Sequence, residues 1–178
     1  MSDVLTPSQR HRNMAAIRSV STKPELILRR ELWRHGFRYR VNDKRLPGRP
    51  DIVLPKYRTV VFVHGCFWHG NKDCLTSHIP ETNTDYWAAK ITRNQERDQE
   101  VWRKLEAKGW SVIIVWECEL KKAKLEETID RVAEEIVRNG EAYQVAQLER
   151  KKTREEYRRE RKERKEREQS LLEEVKSL

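Results

Sequence analysis

Two short apolar runs, Ile52-Val53-Leu54 and Thr59-Val-Val-Phe-Val63, follow one another across a brief break, and both carry reactive residues at their ends. Pro50-Asp51 opens the first, and the second runs out into His64-Gly-Cys-Phe-Trp-His69-Gly-Asn-Lys-Asp-Cys74. Runs this short, rich in β-branched residues and bounded by Pro or Gly, are strands rather than helices. The second run does not alternate apolar with polar residues, so both its faces are buried and it belongs in the middle of a sheet. Ser111-Val-Ile-Ile-Val-Trp116 is a third strand, with Cys118 just past its end. A helical pattern separates the second strand from the third and others flank the set, which is the pattern of an α/β fold with helices around a central mixed sheet.

The helix signals are local. Thr22-Lys-Pro-Glu25 fits a capping box with Pro24 in the first turn. Leu26, Leu28, Leu32 and Trp33 follow, and His35-Gly36 closes the segment. Phe37 to Val41 alternates as a strand, and residues 46–50 form a turn. Over 84–108, Trp87, Ile91, Val101 or Trp102, and Leu105 are spaced for one buried helical face ending at Gly109. Residues 125–138 form another amphipathic helix, with Gly140 as its expected stop. From about 141, Arg, Lys and Glu dominate, as in a long exposed helix laced with i,i+4 pairs or a partly disordered tail. Leu171, Leu172 and Val175 are suited to seat its end on a partner.

The chain of 178 residues is sized for one cored domain. Its expected division is a basic arm over 1–21, a catalytic domain over 22–140 and a charged helical extension over 141–178. The arm carries Arg10, His11, Arg12 and Arg18 around the apolar cluster Met14, Ala15, Ala16 and Ile17. A net charge of +9 makes polyanions, and nucleic acid first among them, the expected partner. No segment approaches the ~20 apolar residues of a membrane helix. No apolar signal core opens the chain, so the expected location is cytoplasmic. Three cysteines in such a compartment argue against disulfides and leave metal ligation or buried free thiols.

Each reactive residue has a bland reading beside a chemical one. Asp51, at a strand start, can hold a hard cation next to a substrate phosphate or simply satisfy turn amides. His64 and His69 titrate near neutrality and suit general base or leaving-group work. Asp98, on the long helix, can orient His69 or be a solvated carboxylate. Glu25 is explained by capping alone, though a carboxylate held there can also bond a metal-bound water. Cys66, Cys74 and Cys118 are either buried free thiols or three thiolates of a structural zinc site, for whose fourth ligand Asn71, Asp73 and His78 are the local candidates and His78 is chemically the best. Phe67, Trp68 and Trp87 are either core aromatics or wedges that unstack base pairs.

Five ordered blocks carry a resemblance: Pro47-Gly-Arg-Pro-Asp51, His64-Gly-Cys-Phe-Trp-His69, Thr82-Asn-Thr-Asp-Tyr-Trp87, Asn94-Gln-Glu-Arg-Asp98 and Gly109-Trp-Ser-Val-Ile-Ile-Val-Trp-Glu-Cys118. Over roughly residues 8 to 140 the chain resembles the very short patch repair (Vsr) endonucleases. The resemblance implies a restriction-endonuclease-like fold with a zinc site. It also implies magnesium-dependent nicking of one strand of duplex DNA, 5′ of the thymine in T:G mismatches left by 5-methylcytosine deamination. Mismatch- or excision-repair proteins would then act downstream. By matching position it makes Asp51 the magnesium carboxylate, His64 and His69 the catalytic imidazoles, Asp98 the partner of His69 and Glu25 a helix-borne acid. Phe67, Trp68 and Trp87 become the inserted aromatics, and Cys66, Cys74 and Cys118 zinc ligands. The chain departs from the family where a histidine is usual between Cys66 and the second cysteine, since Gly70-Asn-Lys-Asp73 stands there. The extension is a second departure. Rival readings are a restriction-like or general nicking endonuclease, a non-catalytic zinc-stabilised DNA-binding module, and a helical interaction protein centred on the tail.

Overall fold

The first helix starts where its capping box places it. In the computed structural model Thr22 is extended, and Glu25 Oε1 accepts hydrogen bonds from the Thr22 amide at 3.3 Å and hydroxyl at 2.8 Å. The helix, α1, spans Lys23–Arg34, and Gly36 leaves it at a φ of +87°. Residues 20–75, 77–81 and 83–176 are described, with Thr6, Ser8, Gln9 and Arg12 before them and side chains through Glu168. The apolar cluster expected at Met14–Ile17 and the side chains of Leu171, Leu172 and Val175 lie outside the described residues.

The strand expected over 37–41 is reduced to a single bridge, Arg40 with Val53, closed by two backbone bonds of 2.8 Å. Phe37 is buried in the core on one side, but Asn42 takes a left-handed φ of +48° and turns the chain away before a ladder can grow. Strand β1 (Ile52–Leu54) pairs antiparallel with β2 (Thr59–His64), joined by a 3-10 turn at Pro55–Tyr57 and a left-handed Arg58. Strand β3 (Ser111–Trp116) pairs parallel with β2, in register from Thr59 opposite Ser111 to His64 opposite Trp116. The result is a three-stranded mixed sheet with β2 in the middle, as its unbroken apolar run required.

Parallel neighbours need a crossover. It consists of a one-turn helix, α2 (Cys66–His69), a loop, and the long helix α3 (Thr84–Ala107). Side chains alternate across β2, so Val60 and Phe62 pack with Leu105 and Trp110, while Val61 faces Leu28 and Leu32 of α1. The last helix, α4 (Leu125–Lys176), adds Ile129, Val132 and Ile136 to that second face. Among the described residues no helix is long and apolar enough to cross a membrane.

The stop expected at Gly140 does not occur, because α4 runs through it without a break. The glycine serves packing instead: a Cβ there would lie 2.6 Å from Tyr57 Cδ1. Helix propensity alone would favour Ala at this position by about 1 kcal/mol. Overpacking against Tyr57, whose ring is already set edge-on to Phe37 at 5.4 Å, opposes that gain. Gly140→Ala should therefore destabilise the fold by about 1–3 kcal/mol, read as a lowered melting temperature. A raised melting temperature would mean that Tyr57 swings aside freely.

Candidate active site

Strand β2 delivers His64 to the end of the sheet, and the next turn folds the chain back over it. Gly65 is extended, α2 makes one turn, and Gly70 closes it at a left-handed φ of +65°. Helix α3 holds this turn in place. Asn94 Nδ2 donates to the Trp68 carbonyl at 2.8 Å, and Gln95 Nε2 donates to the His69 carbonyl at 3.1 Å. A Cβ at position 70 would lie 2.6 Å from Gln95 and 2.7 Å from Ile91, so only glycine lets the turn sit this close.

The clamp brings together three expected residues. His64 and His69 are stacked with centroids 3.8 Å apart, and Trp102 stacks at 5.9 Å from His64. His69 Nδ1 bonds Asp98 Oδ2 at 2.5 Å, and Arg97 reaches the other Asp98 oxygen at 3.3 Å. Burial, helped by the neighbouring His69 charge, pushes His64 down to about 4, so it is neutral at pH 7. Burial works against ionisation of Asp98, but the hydrogen bond and charge of His69 prevail and hold it below its ordinary value.

Asp51 precedes β1, and its Oδ2 accepts the Val63 amide at 2.8 Å, which fixes it beside the end of β2. Burial lifts it to about 6, opposed by that amide bond and by Arg29 and His69, and reinforced by Glu25. Glu25 is only 4% exposed, and both its oxygens are taken. Besides the capping bonds, Oε2 accepts the Ser21 amide at 3.0 Å and Arg29 Nη2 at 2.9 Å. Arg29 Nη2 also donates to the Asp51 carbonyl at 3.1 Å, which ties the helix acid to the strand acid. Sequence reasoning passed over Arg29. The available signal was its i+4 spacing from Glu25 on the buried side of α1. Trp102, Asn94 and Gln95 were also missed as site-building residues.

Phe67, Trp68 and Trp87 are half-buried and form one cluster with centroids 5.1 to 6.1 Å apart, and Tyr86 joins it through Trp87 at 5.1 Å. They are thus neither fully core nor loose on a loop. Below them, the sulfurs of Cys66, Cys74 and Cys118 lie within 4.8 Å of one another, and none is in a disulfide. Burial pushes the Cys66 thiol up to about 12. The Cys66 amide donates to Glu117 Oε1 at 2.8 Å. Asp73 and His78 are exposed and stand outside this cluster. Asn71 approaches it instead: its amide nitrogen donates to Cys66 Sγ at 3.7 Å and Cys118 Sγ at 3.6 Å, while its oxygen accepts the Asp73 amide at 3.1 Å.

The Asp51 environment sets a pH dependence on stability. A carboxyl raised from 3.8 to about 6 binds its proton more tightly folded than unfolded. Stability therefore falls by up to about 3 kcal/mol as pH rises through 4 to 6, and that loss persists above. Asp51→Asn keeps an acceptor for the Val63 amide and removes the buried charge. With chelator present, it should be more stable than the parent at pH 8 and no more stable below pH 4 in denaturant titrations. Equal differences at both pH values would show that the Asp51 charge is well solvated.

The family model "DNA mismatch endonuclease Vsr" matches residues 2–76. The type II nicking enzyme V.NmeAIP of Neisseria meningitidis is 54% identical over 137 residues, 76% of this chain and 97% of that protein. The DNA mismatch endonuclease Vsr of Escherichia coli K12 is 42% identical over 148 residues, 82% of this chain and 94% of that one. The type II nicking enzyme V.XorIIP of Xanthomonas oryzae is 48% identical over 120 residues, 67% of this chain and 88% of its length. Likeness at these levels along nearly the whole of its relatives shows that this chain belongs to the Vsr family of DNA mismatch endonucleases and is a DNA-cleaving hydrolase.

Proposed function

We propose that the enzyme nicks one strand of duplex DNA 5′ of the thymine in a T:G mismatch, in a magnesium-dependent hydrolysis that begins very short patch repair. The observation that carries this reading is the stacked His64–His69 pair, tied to Asp98, on the same turn that presents Phe67 and Trp68. Unstacking a base step costs a few kcal/mol and costs least at a mismatch, so an aromatic wedge selects mispaired DNA without a long base-reading surface. Trp87, in contact with both wedge residues, backs them from α3.

The bond to Asp98 places the His69 ring proton on Nδ1 and leaves Nε2 with a free lone pair. Nε2 then takes the proton from a water attacking phosphorus, and Asp98 stabilises the imidazolium that forms. His64 stays neutral because it is buried, so the stack never carries two like charges and its ring N–H is available to a phosphate oxygen. Hydrolysis leaves a 5′-phosphate and a 3′-hydroxyl. Glu25 and Arg29 serve as positioning residues that hold the Asp51 backbone.

For magnesium the donor set fits in part. Asp51 Oδ2 accepts the Val63 amide, and the neighbouring acid Glu25 has both oxygens engaged within α1 and its cap, so further oxygen ligands would come from water and the scissile phosphate. Magnesium held at Asp51 would stabilise negative charge on the phosphate oxygens. The three sulfurs fit zinc, and Cys66, Cys74 and Cys118 would hold it as thiolates, pinning the loop before α3 to the end of β3. Because Asn71 meets those sulfurs through its nitrogen, the fourth position falls to water unless His78 or Asp73 swings inward.

A strand-specific assay with magnesium tests the substrate. Nicking of the thymine strand is expected in a T:G duplex and none in its T:A counterpart. Equal cutting of both would leave a nicking nuclease without the mismatch role. Asp51→Ala should abolish the nick while T:G duplex binding stays within a few-fold of the parent, and full activity would sink the metal assignment. For zinc, the purified protein should carry one equivalent, and Cys118→Ser should lower that content and the melting temperature together. An unchanged metal content would remove Cys118 from the ligand set.

A further inference from the structure

The charged extension is more ordered in its chemistry than its sequence suggests. Read along the chain, Arg, Lys and Glu are mixed. Wound on the continuous helix α4, six of the cations gather on one arc that is free of acids from 150 to 165. At 3.6 residues per turn, Arg150, Lys151, Arg154, Arg158, Arg161 and Lys165 fall within roughly 100° of the circumference. Glu155, Glu156, Glu160, Glu163 and Glu166 lie on the rest of the circumference, interleaved with Lys152, Arg159, Lys162, Arg164 and Arg167. All these side chains are exposed.

The ion pairs follow the same division. Arg159, Lys162, Arg164 and Arg167 are tied to Glu163, Glu166 and Glu168 along the helix. Among the described residues, none of the six cations on the basic arc has a hydrogen bond, ion pair or ring contact. They therefore form an unneutralised stripe about 22 Å long, with a positive side chain every 4–6 Å or so. Among the exposed apolar side chains, Val145 and Leu148 fall well outside the arc, and Tyr157 borders it about 20° from Arg150.

We propose that this stripe is a second duplex-DNA contact, separate from the catalytic end of the sheet. A row of six unpaired cations flanked by a single tyrosine fits a phosphate backbone better than a folded protein, whose binding energy concentrates in several buried aromatic and apolar anchors. On the far side glutamates neutralise the cations, so only the basic face attracts that backbone and the helix is oriented with this face toward it. Placement keeps the two contacts apart. Helix α4 passes Tyr57 at Gly140, at the end of the sheet opposite His64, and the stripe continues outward from there. The stripe adds sequence-independent affinity for flanking or neighbouring DNA and takes no part in cleavage.

The test is binding of the full chain to a fully paired duplex of about 30 base pairs, followed by anisotropy over a range of salt concentrations. One variant carries Gln at all six stripe cations. A second carries Gln at Lys152, Arg159, Lys162, Arg164 and Arg167, off the stripe. Glutamine is a good helix former, and circular dichroism checks that the helix persists. The stripe variant should bind at least tenfold more weakly, with the slope of log affinity against log salt shallower by about 3–5. The off-stripe variant should keep most of the affinity. Equal loss in both variants would mean that only net charge matters, and no loss in the stripe variant would mean that the stripe is a solvated face. Either result overturns the proposal. So would polyglutamate displacing the duplex at equal charge concentration, which would mark an acidic protein as the partner. None of these readouts depends on mismatch recognition or on cleavage.

Discussion

Parallel pairing of β2 with β3 is the constraint on which the site depends. Two strands running the same way cannot be joined by a turn, so the chain must leave the end of β2, cross a sheet face and return. That excursion contains the aromatic turn with Cys66, the loop with Cys74 and the aspartate that meets His69. The register sets His64 opposite Trp116, which leaves Cys118 just beyond the same end of the sheet as Cys66. The imidazole pair and the sulfur cluster thus share one end of the sheet because one backbone ladder aligns the strands that carry them.

The site stores opposed electrostatic demands. Burial disfavours charge on Asp51 and His64, and the fold answers differently at each. His64 stays neutral, while Asp51 is ringed by an amide, Arg29 and His69 that each favour its anion. A carboxylate held under such tension binds a cation readily, since the cation removes the penalty that burial imposed. Asp98 is held ionised by its histidine against the same burial. Perturbed groups of opposite tendency within one edge are what acid–base chemistry near neutrality requires.

Local rules carried the reading where the determining contacts are local. The capping box at Thr22 and Glu25, the central position of Thr59–His64 and the buried face through Ile91 and Leu105 were all legible, because each follows from spacing within one segment. The two failures have a shared cause. Gly140 and the 37–41 segment looked like a helix stop and a strand by local pattern, yet their conformations answer to Tyr57 and to the turn at Asn42. Arg29 escaped notice because a buried guanidinium is explained only by its distant partner, the Asp51 carbonyl.

What the sequence alone determined about this protein is its chemistry and its local order: an α/β alternation, the residue types at strand ends, and five motif blocks specific enough to mark the family. Tertiary structure decided how those residues meet. It stacked His64 on His69, set Asp98 against the second imidazole, and gathered three cysteines from separate segments. It also drew six cations from a mixed string of charges onto one face, through one unbroken helix. Contacts between segments depend on register, crossover and helix phase, and those are properties of the folded chain as a whole.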